Sequence, residues 1–551
     1  MTDEPLLAIE NLSVALPKGG DRQFAVENVS LAVRRNEIVC LVGESGSGKS
    51  ITAHAVLRLL PPGLDVAAGA IRFKDMDLAR ADEGTMRALR GGPISMIFQE
   101  PLSALNPLTR VGQQIGEAIS THAGAKLSRA ELDARVIDLI AAVGLPDPPA
   151  LARSYPFQLS GGQRQRIMIA IAMANEPALL LADEPTTALD VTTQKQILGL
   201  VRRLQAERGM GVLFITHDFG VVADIADRVV VMRNGCVVEQ GTVAEVLRAP
   251  KNEYTKALIA AVPGGRPAAM RSHALGSDPL LEARGLNKVF TSRQGAFRPV
   301  RRVPAVQDVA LTLRPRETVA VVGESGSGKS TLARMIMRLI EPDAGAIDFD
   351  GVDFLKLRGV QLRAIRRKVQ IVFQDPFAAL DPRQKVGEAI ARGPITYGTP
   401  PVEAIAEAKR LLARVGLKES AYERYPHEFS GGQRQRICIA RAIALKPLVL
   451  VADEAVSALD VSVQQHILEL LAELREEMNM AMLFITHDLR VASEIADRIV
   501  VMRCGEIVEQ GETQSVFGAP QHAYTRELLE AIPGRSLFGR PHEPSVNICF
   551  A

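Results

Sequence analysis

One eight-residue stretch occurs twice in this chain. Gly43-Glu44-Ser45-Gly46-Ser47-Gly48-Lys49-Ser50 returns, letter for letter, as Gly323-Glu324-Ser325-Gly326-Ser327-Gly328-Lys329-Ser330. Each copy fits G-x-x-x-x-G-K-[ST], the phosphate-binding loop. Its glycines let the backbone curl so that successive N–H groups point inward at an anion. Lys49 and Lys329 add a charge at the β- and γ-phosphates of a nucleotide, and the hydroxyls of Ser50 and Ser330 suit Mg²⁺, which takes oxygen ligands. Both loops follow an apolar run, Ile38-Val39-Cys40-Leu41-Val42 and Thr318-Val319-Ala320-Val321-Val322. Both precede a helical pattern, so a bound phosphate would lie at a helix N-terminus. A Gly/Ser-rich turn could explain one such stretch; it does not explain two identical ones after matching apolar runs.

The repeat divides the chain. At 551 residues it is too long for one core. The loops are 280 residues apart, whereas later landmarks, Ser160 and Ser430 or His217 and His487, are 270 apart. The second copy is therefore shorter between loop and signature and then tracks the first without a gap. This predicts two complete domains, 1–263 and 280–535, rather than a solenoid of small units. The join, 264–279, is rich in proline, glycine and small residues and reads as an exposed linker. Residues 536–551 read as a loose tail.

Bulk properties exclude several classes. Charged residues are 23% and hydrophobic residues 47%, an ordinary globular balance. A net charge of +2 gives no strong pull toward nucleic acid or anionic lipid. Cys40, Cys236, Cys438, Cys504 and Cys549 are far apart with no C-x-x-C, which suits a reducing cytosol and gives no metal-site spacing. The N-terminal stretch is acidic and lacks a signal pattern. No uncharged apolar run reaches about 18 residues, so the chain is not expected to span a membrane.

Within each copy, short apolar strands alternate with helical patterns, which predicts an α/β fold. Leu179-Leu180-Leu181-Ala182 and Val449-Leu450-Val451-Ala452 read as buried parallel strands, each ending in Asp-Glu. Val212 to Thr216 and Met482 to Thr486 read likewise and end in His-Asp. Asn234-Gly235 marks a hairpin between Arg228–Met232 and Val237–Glu239. Between loop and signature lies a helical insert. Ser128-Arg129-Ala130-Glu131 is a capping box, followed by Leu132, Val136, Leu139, Ile140 and Val143 at helical spacing. The second copy repeats this with Ile405, Ala408, Leu412 and Val415.

The chemistry-bearing residues cluster at strand ends. Asp183 and Asp453 are carboxylates at the end of a buried strand, where they would face the loop's Mg²⁺ site. The adjacent Glu184 and Glu454 could orient or deprotonate an attacking water. Ser160-Gly161-Gly162-Gln163 and Ser430-Gly431-Gly432-Gln433 each open a helix. They offer a hydroxyl and close backbone N–H groups, as a plain N-cap would or as a second anion site would. A second anion site so far from the first implies a nucleotide held between two surfaces.

The loop, the Ser-Gly-Gly-Gln signature, Asp-Glu, Ala188-Leu189-Asp190 and His217, in this order and twice over, resemble the ATP-binding cassette (ABC) ATPases. The resemblance covers nearly the whole chain. It implies two tandem P-loop NTPase domains, each a mixed, mainly parallel sheet core with a helical subdomain, using ATP and Mg²⁺. By residue, it implies that the loops, with the following Ile51 and Thr331, hold nucleotide phosphates. It implies that Gln99 and Gln374 sense Mg²⁺ and connect to a membrane partner. Ser50, Gln99 and Asp183, and Ser330, Gln374 and Asp453, would then surround the metal. Glu184 and Glu454 would be the catalytic bases, and His217 and His487 would hold the γ-phosphate. Phe24 is the candidate for stacking on adenine. The second copy has Pro304 at the matching place, which leaves Phe290. The two copies would sit head to tail, Lys49 sharing a nucleotide with Ser430 and Lys329 with Ser160.

Two departures stand out. Ala455-Val456 replaces Pro185-Thr186 after the second base, which should soften that turn. Phe429 replaces Leu159 before the second signature, an apolar exchange expected to be neutral.

Phe-Gln-Glu-Pro at 98–101, Ser103 to Pro107, Ala379 to Pro382, Glu239-Gln240-Gly241, Glu509-Gln510-Gly511, and the endings that start at Tyr254 and Tyr524 are similar to bacterial dipeptide, oligopeptide and nickel importers. Fusion of two cassettes is similar to the glutathione and microcin-type peptide importers. This implies an ATPase powering import, of peptides first, with nickel, glutathione or oligosaccharide as alternatives. ATP would close the two halves and hydrolysis reopen them. Its partners would be two transmembrane permease subunits and, through them, an external substrate-binding protein. No direct contact with the transported substrate and no nucleic acid are expected. The place implied is the cytoplasmic face of the bacterial inner membrane, held peripherally. No cysteine cluster follows Val262-Pro263 or Ile532-Pro533, so no iron–sulfur cluster is expected. A soluble twin-cassette protein acting on ribosomes or DNA is the other reading. The short non-helical join, the absence of zinc cysteines and the absence of a basic surface oppose it.

Overall fold

A computed structural model of the chain describes residues 4–17, 22–123, 127–187, 189–263, 278–292, 301–457 and 459–535. Most of the expected linker, the expected tail and Ala188 lie outside the described residues. The contacts gather into two compact units, one built mainly from residues 1–189 and 193–262, the other mainly from 263–532.

The first unit is organised on a six-stranded sheet. Its order is Cys236–Thr242, Arg228–Arg233, Ile38–Val42, Gly211–Ile215, Leu179–Asp183, Ile94–Ile97. Every pairing is parallel except that of the Cys236–Thr242 edge strand. The second unit repeats the order with Glu506–Glu512, Arg498–Arg503, Thr318–Val322, Ala481–Ile485, Val449–Asp453 and Val369–Val372. Ile38–Val42, Leu179–Asp183 and Gly211–Ile215 are buried along their whole length. That is why they read as unbroken apolar runs: a parallel strand covered on both faces has no polar side to alternate with. The parallel register brings the C-terminal ends of these three strands, and hence Gly43, Glu184 and Thr216, to one edge of the sheet, where ligands bind in open α/β folds.

A second, antiparallel sheet of four strands flanks each core: Phe24–Val33, Leu7–Ala15, Asp65–Phe73 and Met76–Asp77 in the first unit, Arg301–Leu313, Leu281–Ser292, Ala344–Phe349 and Val352–Asp353 in the second. Its inner face, with Leu7, Ile9, Val26 and Ile71, joins the cluster that holds Val39, Leu41 and Val56.

The helical insert forms as its spacing predicts. Ser128 and Glu131 close the capping box, with the Ser128 N–H donating to Glu131 Oε2 at 2.8 Å and the Glu131 N–H to Ser128 Oγ at 3.3 Å. In helix Arg129–Ala142, Val136 and Ile140 are buried. In the second copy, helix Pro401–Arg414 buries Ala404, Ala408 and Leu412, whereas Ile405 is exposed. The buried stripe therefore runs one residue earlier than the larger side chain suggests. The Asn234-Gly235 hairpin is present with φ of 51° and 89°, both in the left-handed region a tight hairpin turn needs.

Candidate active site

Each phosphate loop is shaped by its glycines. Gly43 has φ 149°, and a Cβ built on it would lie 2.2 Å from the Met232 carbonyl oxygen. Gly48, at φ 100°, opens helix Lys49–Val56 and would place a Cβ 2.8 Å from the Ala25 carbonyl oxygen. Gly46 has nothing within 4 Å of its Cβ position and forms the exposed crest with Ser45. The second loop repeats this at Gly323, Gly328 and Gly326. Only glycine fits where the neighbouring backbone approaches so closely.

The lysines fold back over their own loops. The Lys49 amine donates to the carbonyls of Gly43 at 2.7 Å and Glu44 at 2.9 Å. The Lys329 amine donates to Gly323 at 2.8 Å and Glu324 at 2.7 Å. Burial lowers the Lys329 pKa, and nearby carboxylates, Glu454 foremost, oppose it. The cradle also holds Ser47, whose buried hydroxyl has no hydrogen-bond partner among the described residues. Ile51 packs its side chain toward the core, so only its backbone N–H could serve a phosphate. Thr331 holds the equivalent place in the first turn of helix Lys329–Ile336.

Opposite the loop, Ser50 Oγ donates to Asp183 Oδ1 at 2.9 Å, and Ser330 Oγ to Asp453 Oδ1 at 3.0 Å. Burial raises the pKa of both aspartates, the serine hydroxyls opposing it and the charge of the adjacent glutamate adding to it. A hydroxyl and a carboxylate this close form an all-oxygen pair of the type Mg²⁺ takes.

Glu184 and Glu454 sit just past their strands in the left-handed region, at φ 45° and 49°. A non-glycine residue there carries about 1–2 kcal/mol of strain. The turn keeps it there: the Glu184 N–H extends the ladder to the Ile215 carbonyl at 3.0 Å, and the Glu454 N–H to Ile485 at 2.9 Å. The next turn bonds, Thr187 to Glu184 and Ser457 to Glu454, are both 3.3 Å long. The expected softening by Ala455-Val456 therefore does not appear in these hydrogen bonds. Both residues are buried, and their packing serves where Pro185-Thr186 serves in the first copy.

Three side chains from separate parts of the chain converge on Glu184. Gln99 Nε2 donates to Oε2 at 3.1 Å, Thr187 Oγ donates to Oε2 at 2.9 Å, and His217 Nδ1 lies 3.4 Å from Oε1. Around Glu454, Gln374 Nε2 donates to Oε2 at 2.7 Å and His487 Nδ1 lies 3.5 Å from it. Burial alone would raise the Glu184 pKa. The histidine, the Thr187 hydroxyl and the Lys49 charge together outweigh it and hold the carboxyl down at about 2. Glu454 is lowered by the same balance, with burial opposed mainly by His487. A buried carboxylate held ionised in this way is available to accept a hydrogen bond, and then a proton, from an attacking water.

The signatures cap helices. Ser160 opens helix Gly161–Ala172; its hydroxyl accepts from the Gln163 N–H at 3.2 Å, and its own N–H donates to Gln163 Oε1 at 3.0 Å. Ser430 and Gln433 do the same at 3.4 and 3.1 Å. Gly162 and Gly432 pack tightly, with a Cβ falling 2.6 Å from Thr193 Cγ2 and Val463 Cγ1 respectively. Leu159 and Phe429 are equally buried, in line with a neutral exchange. Losing an N-cap hydroxyl costs about 1 kcal/mol. Ser160→Ala should therefore speed amide exchange in the first turn of its helix about fivefold, with the Ser430 copy unchanged as an internal reference. Equal exchange in the two copies would show that the cap contributes nothing.

Phe24 lines a cavity of about 510 Å³ with Arg22, Gln23, Glu27, Gly46 and Asn234, beside the first loop. Arg22 Nη2 donates to the Gly46 carbonyl at 2.5 Å. Phe290 is half exposed, and its ring neighbour is the Lys288 amine at 6.0 Å. Strand register pairs Phe290 with Val303 and Val289 with Pro304, whereas Phe24 pairs with Ala15. Pro304 thus takes the place of Phe24.

The sequence reading missed Thr187. Its signal was a hydroxyl residue three places after the glutamate in both copies, Thr187 and Ser457. Ser457 Oγ donates instead to the Glu454 backbone carbonyl at 3.1 Å.

A family model described as ABC transporter matches residues 26–187 and again 306–457. A second, described as the C-terminal region of oligopeptide/dipeptide transporters, matches 238–293 and 508–536. Among curated proteins, the glutathione import ATP-binding protein GsiA of Salmonella paratyphi A is 47% identical over 562 residues, covering 96% of this chain and 89% of that protein. GsiA of Escherichia coli K12 is 46% identical over 564 residues with the same coverage, 96% and 89%. Two matched cassettes, each with its loop, Asp-Glu strand end, glutamine and histidine gathered at one sheet edge, give the conclusion that this chain belongs to the ABC transporter family and is an ATPase coupled to transport.

Proposed function

We propose that both loops bind and hydrolyse Mg-ATP and that the chain powers import of short peptides, with glutathione, itself a tripeptide, as the first candidate. The observation that carries the first half is the duplication of the whole constellation at matched distances: Ser50–Asp183 with Ser330–Asp453, and Gln99–Glu184–His217 with Gln374–Glu454–His487. These pairs recur in both copies, so both should turn over. The second half is supported by the likeness to glutathione import ATP-binding proteins and by the match to the C-terminal region of oligopeptide/dipeptide transporters.

The residues divide the work. Ser50 and Asp183, with Gln99 nearby, would hold Mg²⁺ in the first site; Ser330, Asp453 and Gln374 would do so in the second. The metal would supply charge neutralisation across the β- and γ-phosphates. The loop N–H groups and Lys49 or Lys329 bind the phosphates. Glu184 and Glu454 orient the attacking water and take its proton, while His217 and His487 reach the γ-phosphate. Phe24 stacks on the adenine in the first site. The glutamines lead into the helical inserts, where Leu108, Phe157 and Phe377 are exposed apolar residues suited to meet two membrane-spanning permease subunits. A substrate-binding protein outside the cell would deliver the peptide to those subunits. Among the described residues no helix is long and apolar enough to cross a membrane; the chain would be held at the cytoplasmic face of the cell membrane by its permeases.

The test is uptake. Cells lacking this chain should lose import of labelled glutathione, or of a di- or tripeptide, by at least about tenfold. The parent chain should restore it, and the Glu184→Gln, Glu454→Gln double variant should not. Unchanged uptake of all three would overturn the peptide assignment, and purified chain without ATPase activity would overturn the site assignment.

A further inference from the structure

Each phosphate loop is gripped by a tyrosine that lies about two hundred residues further along the chain. Tyr254, in helix Glu253–Ala260, accepts from the Glu44 backbone N–H at 3.4 Å, and its hydroxyl donates to Glu44 Oε2 at 3.1 Å. Tyr524, in helix Ala523–Glu530, accepts from the Glu324 backbone N–H at 3.1 Å. The peptide so held has a second side. Its N–H belongs to Glu44, and its carbonyl is that of Gly43, which accepts from the Lys49 amine at 2.7 Å. In the other copy the Gly323 carbonyl of the same peptide accepts from Lys329 at 2.8 Å. A trans peptide is rigid and planar, with N–H and C=O pointing opposite ways. Whatever fixes the N–H side therefore fixes the carbonyl on which the lysine rests.

The tyrosines are themselves well held. The Arg233 guanidinium lies 4.6 Å from the Tyr254 ring centroid, and that of Arg503 lies 4.7 Å from Tyr524. These arginines follow Met232 and Met502, whose carbonyls abut Gly43 and Gly323. At the start of each helix, the Tyr254 N–H donates to Asn252 Oδ1 at 2.9 Å, and the Tyr524 N–H donates to His522 Nδ1 at 3.2 Å. Glu239 Oε1 accepts from the Lys251 N–H at 2.7 Å, and Glu509 Oε1 from the Gln521 N–H at 2.8 Å. A chain of contacts thus runs from the edge strand of the sheet, through the tyrosine, to the loop lysine, in both copies.

We propose that Tyr254 and Tyr524 are positioning residues of the two nucleotide sites. Through the first peptide of each loop they set the resting place of Lys49 and Lys329, and so make the C-terminal segment of each cassette a determinant of nucleotide polyphosphate affinity. The inference rests on the reading of the loops as nucleotide sites. Because the tyrosine acts through the lysine, its effect should disappear when that lysine is gone.

The experiment is equilibrium binding of a fluorescent ADP to the full chain, with a thermal melt of each variant alongside. Tyr524→Phe keeps the ring and its arginine but deletes the hydroxyl, and should weaken ADP binding at its site about tenfold. Tyr254→Phe, losing a longer bond to the loop N–H and the bond to the mobile end of the Glu44 side chain, should weaken it about threefold. Tyr524→Phe should have no further effect in a Lys329→Ala background and its full effect in a Lys49→Ala background. Asn252→Ala loosens the start of helix Glu253–Ala260 without touching the loop, and should give a smaller loss of the same kind. ADP affinity within twofold of the parent in both tyrosine variants would overturn the inference, as would full additivity of Tyr524→Phe with Lys329→Ala. A parent chain that does not bind ADP would instead overturn the site reading beneath it.

Discussion

The Glu184→Gln, Glu454→Gln double variant should hydrolyse ATP at least about 100-fold more slowly than the parent while binding it with unchanged affinity. Loss of a general base typically removes two to four orders of magnitude. Binding should survive because the site can accommodate the amide. Among the described residues, Glu184 Oε2 receives two donors, Gln99 and Thr187, while Oε1 lies 3.4 Å from His217 Nδ1. A glutamine can place its carbonyl oxygen where Oε2 lies and turn its NH₂ toward His217, whose Nδ1 accepts once the ring is neutral with its proton on Nε2. At Glu454 both Gln374 and His487 address Oε2, so a single oxygen again suffices. The single variants should separate the two sites: if both turn over independently, each should leave about half the activity, and if they are coupled, either alone should remove most of it. Single-turnover phosphate release together with ATP binding by filter assay distinguishes these outcomes. Parental turnover in the double variant would show that neither glutamate takes part in the chemistry.

Much of this site was legible before the fold, for a physical reason. Parallel strands buried on both faces announce themselves as apolar runs, and their functional residues follow immediately where the run stops. Gly43, Asp183-Glu184 and His217 are all read this way, and their duplication in the same order, 280 residues on for the loop and 270 for the rest, separates them from chance. The flanking antiparallel sheet was not legible. Its strand Leu7–Ala15 should alternate, but the register shifts between Ile9 and Leu12, where Asn11 takes φ 49°. The buried set resumes at Leu12 and Val14 on a reset phase, so a two-residue period cannot find it. Gly69, at φ 97°, meets the bulge, and its Cβ position is 2.5 Å from the Asn11 carbonyl oxygen. The roles of Thr187 and Tyr254 were not legible for another reason. Each acts through a hydroxyl aimed at a group that only the tertiary fold brings near, and neither side chain type marks such a role by itself. The second adenine partner was not legible because of register: Phe290 is on the neighbouring strand from Pro304, the residue that answers to Phe24.

The largest loss of structure should come from the smallest side-chain change, Gly43→Ala. A methyl there would lie 2.2 Å from the Met232 carbonyl oxygen, 2.9 Å from Ser47 Oγ and 3.2 Å from the Met232 carbonyl carbon. The first of these is backbone of a central strand and cannot swing aside as a side chain would. Either the loop or strand Arg228–Arg233 must move, and both are held, since Arg228–Arg233 pairs in parallel with Ile38–Val42 directly before the loop. Overpacking and a strained φ together put the cost at about 3 kcal/mol or more. Gly46→Ala is the control: its φ of 76° is also left-handed, but no atom lies within 4 Å of the new methyl. That variant carries only the conformational strain, about 1–2 kcal/mol. Stability of a two-unit chain is not one number, so the measurement should be local. Hydrogen exchange followed by mass spectrometry should show Gly43→Ala stripping protection from residues 38–56 and 228–235, with the second unit as reference. Nucleotide bound per chain should fall by half. Gly46→Ala should leave both nearly intact. Equal behaviour of the two alanine variants would mean that the loop tolerates a side chain against Met232, and that the glycine is there for its φ alone.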